Sequence, residues 1–144
     1  MQTTDILVSG GGIAGLVTAA GFADLGFSVT LVDPAPPPQT ADADGSDLRS
    51  TAYLKPACDL LDRIGLWQDL APAATPLETL RVIDSAGDPP QARAERAFQS
   101  TDLGEPAFGW NLPNWLARKR LAERLTKAKG IDLRFGTAFA DILT

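Results

Sequence analysis

Apolar positions change period twice within the first 33 residues. Ile6, Leu7 and Val8 form a short continuous run with β-branched ends, stopped by Gly10, Gly11 and Gly12; Ile13, Leu16, Val17, Ala20 and Ala23 then recur at helical spacing. The pattern predicts strand, tight turn, helix. Leu25-Gly26 is a helix stop, and Val29 to Val32 returns as a second apolar strand ending on Asp33. The segment is therefore a βαβ unit, and the fold class it predicts is α/β, with a Rossmann-like parallel sheet.

Beyond Asp33 the βα alternation does not repeat. Residues 34–47 hold four prolines followed by acids, which predicts a surface loop. Asp42, Asp44 and Gly45 give a superficial calcium-loop spacing, but the twelfth position would then be Thr51, where a bidentate glutamate is required, so that reading fails. Pro56 opens a helix with Ala57, Leu60, Leu61 and Ile64 as its apolar stripe, ended by Gly65. Residues 77–84 predict a strand, 85–90 a turn and 94–99 a return strand, an antiparallel excursion. A last helix carries Ala117, Leu121, Leu125 and Ala128 on one face, with Arg118, Lys119, Arg120, Arg124, Lys127 and Lys129 around the rest. Gly130 stops it, and strands are predicted over 131–135 and 138–143.

The chemistry sits at the first turn. Gly10, Gly12 and Gly15 make G-x-G-x-x-G at the junction of strand and helix. Gly10 permits the sharp turn, Gly12 removes a Cβ that would block a diphosphate, and Gly15 lets the helix pack closely. Ile13 and Ala14 begin the helix, where unpaired N–H groups and the positive end of the dipole can hold an anion without a basic side chain. None is present in the turn itself. Asp33 stands where a carboxylate accepts hydrogen bonds from a ribose 2′-hydroxyl and repels a 2′-phosphate, so FAD or NAD fits and NADP does not. The bland alternative is a glycine-rich turn that binds nothing. A glycine inside an element costs about 0.5–1 kcal/mol relative to alanine, and strand, turn, helix, second strand and terminal acid all agree here, so the dinucleotide reading is preferred.

Composition narrows the classes. The chain has 144 residues, 44% hydrophobic and 22% charged, enough to bury a core of its own. With a net charge of −5 and no long basic run, nucleic acid is not an expected partner. One cysteine, Cys58, and no histidine exclude an intrachain disulfide, a Ser-His-Asp triad and the usual zinc sets within these residues. Cys58 is read as a packing residue. No apolar stretch approaches the length of a membrane span, and the first strand begins too early for a signal peptide, so the cytoplasm is the expected compartment. The alanine-rich stripe of the last helix favours a solvated helix over one lying on a membrane surface, although peripheral membrane association stays open.

Two further segments carry a resemblance. Asp47-Leu48-Arg49-Ser50-Thr51-Ala52 after the second strand, and Phe108-Gly109-Trp110-Asn111-Leu112-Pro113-Asn114 before the last helix, resemble segments of the flavin-dependent aromatic hydroxylases, the group containing p-hydroxybenzoate hydroxylase and the ubiquinone-pathway hydroxylases. Ile64-Gly65-Leu66-Trp67 resembles a helix exit common in the latter, with Trp67 read as a packing residue. The resemblance implies FAD as cofactor, NAD(P)H as transient reductant, and transfer of one oxygen atom from O2 to a small aromatic substrate. It implies that Arg49 and Asn114 approach the flavin side of the nucleotide, with Arg118 a weaker candidate. Read without the family, Arg49 is a loop cation paired with Asp47, and Asn114 is a helix N-cap. The resemblance spans nearly all of residues 1–144 and implies an incomplete FAD-binding domain, with 77–99 reaching toward a substrate domain and the family's Gly-Asp motifs beyond position 144. Unpaired edges on that excursion make self-association conceivable. An NAD-linked dehydrogenase and a non-catalytic nucleotide-binding module are the competing classes.

Overall fold

The computed structural model describes residues 3–141. Strand β1 (Ile6–Ser9), helix α1 (Ile13–Asp24) and strand β2 (Val29–Asp33) form the expected βαβ unit. Strand β8 (Ile131–Phe135) joins the far side of β2, giving a parallel sheet in the order β1-β2-β8. As the central strand, β2 is buried along Val29–Val32, whereas β1 leaves Leu7 51% exposed on the uncovered face. The register pairs Ser9 with Val32 and Asp33 with Phe135, so the glycine turn and the acid meet at one carboxyl edge.

Helix α4 (Asn114–Leu125) packs against α1. Ala19 and Ala20 on α1 and Ala117 on α4 are buried, and such small side chains allow close approach; Leu16, Leu31 and Leu121 fill the space between helices and sheet. The apolar stripe of α4 is thus spent inside the protein. Its cations are tied down too: Lys119 donates to the Gln39 carbonyl, and Arg120 to the Asp69 carbonyl. Among the described residues no helix is long and apolar enough to cross a membrane.

A second, antiparallel sheet was not foreseen from the pattern. Strand β3 (Ser50–Leu54) and the two-residue β4 (Thr75–Pro76) flank β7 (Gly109–Pro113). β3 exposes every residue except Tyr53, so no alternation marks it as a strand. The one clue is Gly109: a Cβ there would run into the Tyr53 carbonyl across the ladder. Helix α2 (Lys55–Arg63) follows β3 directly and also departs from expectation. It buries Cys58 and Leu61, while Ala57 and Leu60 face outward. The Cys58 thiol donates to the Tyr53 carbonyl at 3.2 Å, and burial pushes the thiol pKa up. The short helix α3 (Trp67–Leu70) packs Trp67 edge-on against Trp110 at 5.5 Å, the packing role expected of it.

The antiparallel excursion is a two-stranded hairpin, β5 (Thr79–Ala86) with β6 (Gln91–Gln99); the first arm lies two residues later than the pattern predicted, and the second starts three residues earlier. One face carries Leu80, Val82 and Phe98, and the other the Arg81–Glu95 pair. No strand is present over 138–141, and residues 142 and 143 of the expected last strand lie outside the described residues.

Candidate functional site

The site is built where β1 gives way to α1. Gly10 has φ +113°, open to glycine and resisted by other residues, and its N–H donates to the Val32 carbonyl. A Cβ on Gly15 would collide with the Gly10 carbonyl, so helix and turn touch at that point. At Gly12, by contrast, no atom lies within 4 Å of where a Cβ would stand. The three glycines therefore do the separate jobs their spacing suggests: Gly10 and Gly15 shape the turn, and Gly12 leaves its outer side clear. No side chain caps α1 and no acid sits in its first turn, so its leading N–H groups face an approachable, electropositive end.

An open cleft of about 360 Å³ borders this end. Gly12, Ile13, Asp33, Asn114 and Arg118 line it, together with Asp47. Of the other residues singled out by sequence, Gly10, Gly15, Ala14 and Arg49 do not line it. Asp33 is drawn into the turn: Oδ2 accepts from the Gly11 N–H at 2.6 Å and Oδ1 from the Ala35 N–H at 2.8 Å. A carboxylate has further lone pairs, so these bonds leave acceptor capacity for a hydroxyl.

The turn itself has no basic side chain, but the fold supplies one from 107 residues away. Arg118, in the second turn of α4, donates from Nε to the Gly11 carbonyl at 2.8 Å and from Nη2 to the Ala35 carbonyl at 2.8 Å, with Asp33 Oδ1 at 3.4 Å. Arg118 and Asp33 are largely buried, at 21% and 14% side-chain exposure.

Asn114 reaches the cleft by a different use of its side chain from the one expected. Pro113 holds the N-cap position of α4 and no side chain caps the helix. The Asn114 carboxamide instead bridges two segments, donating to Asp47 Oδ2 at 2.9 Å and accepting from Thr51 Oγ1 at 2.7 Å. Proline one residue earlier fixes the chain at the cap, which frees asparagine for this bridge. Arg49 grips Asp47 through Nε and Nη2 and is itself 84% exposed. The Arg49 guanidinium, and then the Asn114 amide, hold the Asp47 carboxyl well below the usual carboxylate range. Sequence reasoning took Asp47 only as a partner of Arg49; its place in the Asp-x-Arg segment was the available signal for more. Trp115, which also lines the cleft, had none beyond following Asn114.

A larger groove, about 610 Å³, lies between α1 and α2 and is lined mainly by Val17, Phe22, Leu25, Leu60 and Ile64. It is mostly apolar and lies away from the glycine turn.

The profile of the family described as "FAD binding domain" matches residues 3–143. The chain belongs to the FAD-binding domain family. Among curated relatives, the ubiquinone hydroxylase UbiL of Rhodospirillum rubrum is 32% identical over 135 residues, covering 92% of this chain and 29% of that protein. The 3-demethoxyubiquinol 3-hydroxylase of Escherichia coli is 29% identical, covering 92% of this chain and 33% of the relative. The chain thus spans about a third of the length of these relatives. Among solved structures, p-nitrophenol 4-monooxygenase PnpA from Pseudomonas putida shares the fold with a TM-score of 0.69 at 21% identity, over 94% of this chain and 33% of that one. The flavin-dependent monooxygenase PieE, solved with FAD and substrate, gives a TM-score of 0.69 at 23% identity, over 92% and 24%. This FAD-binding domain therefore resembles FAD-dependent monooxygenases in sequence and in fold.

Proposed function

We propose that the chain holds the adenosine diphosphate half of FAD at the carboxyl edge of β1 and β2, as the FAD-binding portion of a flavoprotein monooxygenase that hydroxylates an aromatic ring with NAD(P)H and O2. The observation that carries this reading is the convergence of Gly12, with nothing in front of it, the uncapped start of α1, Asp33 and the first turns of α4 on one cleft. Such an edge is where open α/β sheets take nucleotide ligands. The diphosphate would lie against the Gly12 and Ile13 N–H groups, and the adenosine ribose against Asp33. Asn114 and Arg49, joined through Asp47, would lie toward the flavin.

When bound, the flavin supplies the redox chemistry with NAD(P)H and O2. The residues here bind and orient it; none of them needs to move a proton on the ring. The names of the curated relatives favour a phenol of the ubiquinone pathway, with its polyprenyl chain, as substrate. The antiparallel sheets that follow β2, in place of another βα unit, weigh against a nicotinamide-linked dehydrogenase.

The reading is tested by titrating the purified chain with FAD and, separately, with NAD+, following flavin fluorescence and the visible spectrum after desalting. Saturable FAD binding that ADP competes away, with NAD+ much weaker, is expected. Retention of NAD+ and no uptake of FAD would overturn it.

A further inference from the structure

The Gly11 backbone is held at both ends by side chains. Its N–H, part of the Gly10–Gly11 peptide, donates to Asp33 Oδ2 at 2.6 Å; its carbonyl, part of the Gly11–Gly12 peptide, accepts from Arg118 Nε at 2.8 Å. Gly11 is buried, and a Cβ there would meet Phe135 and Asp33. Arg118 is in turn braced by the Ala35 carbonyl and by Asp33.

Peptide geometry gives this grip a consequence. The peptide is planar and trans, so its N–H points opposite to its C=O. Pinning the Gly11 carbonyl toward Arg118 turns the Gly12 N–H the other way, away from that side chain. Between two glycines that orientation is not secured by the residues themselves. A flip of the Gly11–Gly12 peptide would carry φ of Gly12 from −75° to the positive side, which glycine tolerates and other residues resist. The residue type that keeps the outer side of the turn clear is therefore also the one that permits the wrong orientation.

We propose that Arg118 is a positioning residue that locks the Gly11–Gly12 peptide, fixing the direction in which the Gly12 N–H is presented to the cofactor diphosphate. The inference rests on the FAD reading for its ligand, while the lock itself belongs to the protein without ligand. It assigns Arg118 a role distinct from charge contact: Nε and Nη2 are engaged by backbone carbonyls and Asp33, and through them the side chain acts on the diphosphate by way of the backbone.

The test uses the whole 144-residue chain, labelled with 15N and 13C, with R118A and R118M; the methionine keeps most of the aliphatic stem and removes the donors. Without FAD, the wild-type chain is expected to give a coupling across the hydrogen bond from Arg118 Nε to the Gly11 carbonyl carbon. In the variants, the Gly11 and Gly12 amide resonances are expected to broaden or double while those of β2 and β8 stay in place. FAD titrations at about 50 and about 500 mM salt form the second arm, since charge contacts are screened at the higher value. Both variants are expected to weaken FAD by at least about tenfold, about 1.4 kcal/mol, and by the same factor at both salts. An absent coupling in the wild-type chain, or unchanged Gly11 and Gly12 resonances in the variants, overturns the lock. A loss confined to low salt overturns it in favour of direct charge contact. If wild type takes up no FAD, the proposed function fails, and the ligand-free spectra still decide the lock.

Discussion

Two glycines of one turn respond differently to the same added methyl group. At Gly15 a Cβ would press into the Gly10 carbonyl, so G15A must displace either helix or turn. At Gly12 the space is open and φ is −75°, within reach of any residue, so G12A is expected to leave the stability of the ligand-free chain unchanged or raise it by about 0.4–1 kcal/mol. Urea unfolding should separate the two, with G15A clearly destabilised. FAD titration should show G12A failing to bind despite its intact fold. The glycine spacing made this legible in the sequence, because each position in G-x-G-x-x-G answers to a distinct steric demand. Tyr53 is a residue whose surroundings were not legible. It is 7% exposed, its hydroxyl has no hydrogen-bond partner among the described residues, and burial raises its pKa. A buried hydroxyl left unpaired costs about 1–3 kcal/mol, so removing it recovers part of that. Y53F is expected to raise the thermal midpoint; a fall of several degrees would contradict the unpaired assignment.

At the scale of elements, α4 joins the parts of the site. Its first two turns carry Asn114, Trp115 and Arg118 to the cleft, while Leu121 and Leu125, further along the helix, are buried in the core. The helix was legible from its apolar spacing. Its pairing with the loop after β2 was not, because hydrogen bonds from Arg118 to Gly11 and Ala35 join segments far apart in sequence and leave no local periodicity. Strand β3 was lost for a related reason: an edge strand exposed at four of five positions has no pattern to read. Asp47 fastens the segment just ahead of β3 to α4, and this connection is sensitive to acid. An aspartate in an unfolded chain titrates near about 3.9, and Arg49 and Asn114 hold Asp47 well below that. Its contribution is therefore fully present above the unfolded value and is lost as pH falls toward the depressed folded one. Urea midpoints for wild type and D47N are expected to differ at pH 7, with the gap closing below pH about 4. An undiminished gap at low pH would mean that shape, and not the carboxylate charge, is what D47N removes.

For the whole molecule, the first 33 residues disclosed both a fold class and a cleft wall, since strand period, turn chemistry and helix period agree there. The second sheet came into view only with tertiary contacts, its one sequence mark being Gly109 crossing the Tyr53 carbonyl. Volume alone would have pointed elsewhere. The groove between α1 and α2, about 610 Å³, exceeds the cleft at the glycine turn, about 360 Å³, yet its wall is mostly apolar and runs along the later turns of both helices, away from their leading N–H groups. The central claim, that the nucleotide lies at the carboxyl edge of β1 and β2, sets these two places against each other. Amide shift mapping of the labelled chain during FAD titration decides between them. The largest changes are expected at Gly11, Gly12, Ile13, Asp33, Asn114 and Arg118, with Val17, Leu25 and Leu60 little moved. Changes centred on Val17, Leu25 and Leu60, with the glycine turn silent, would contradict it.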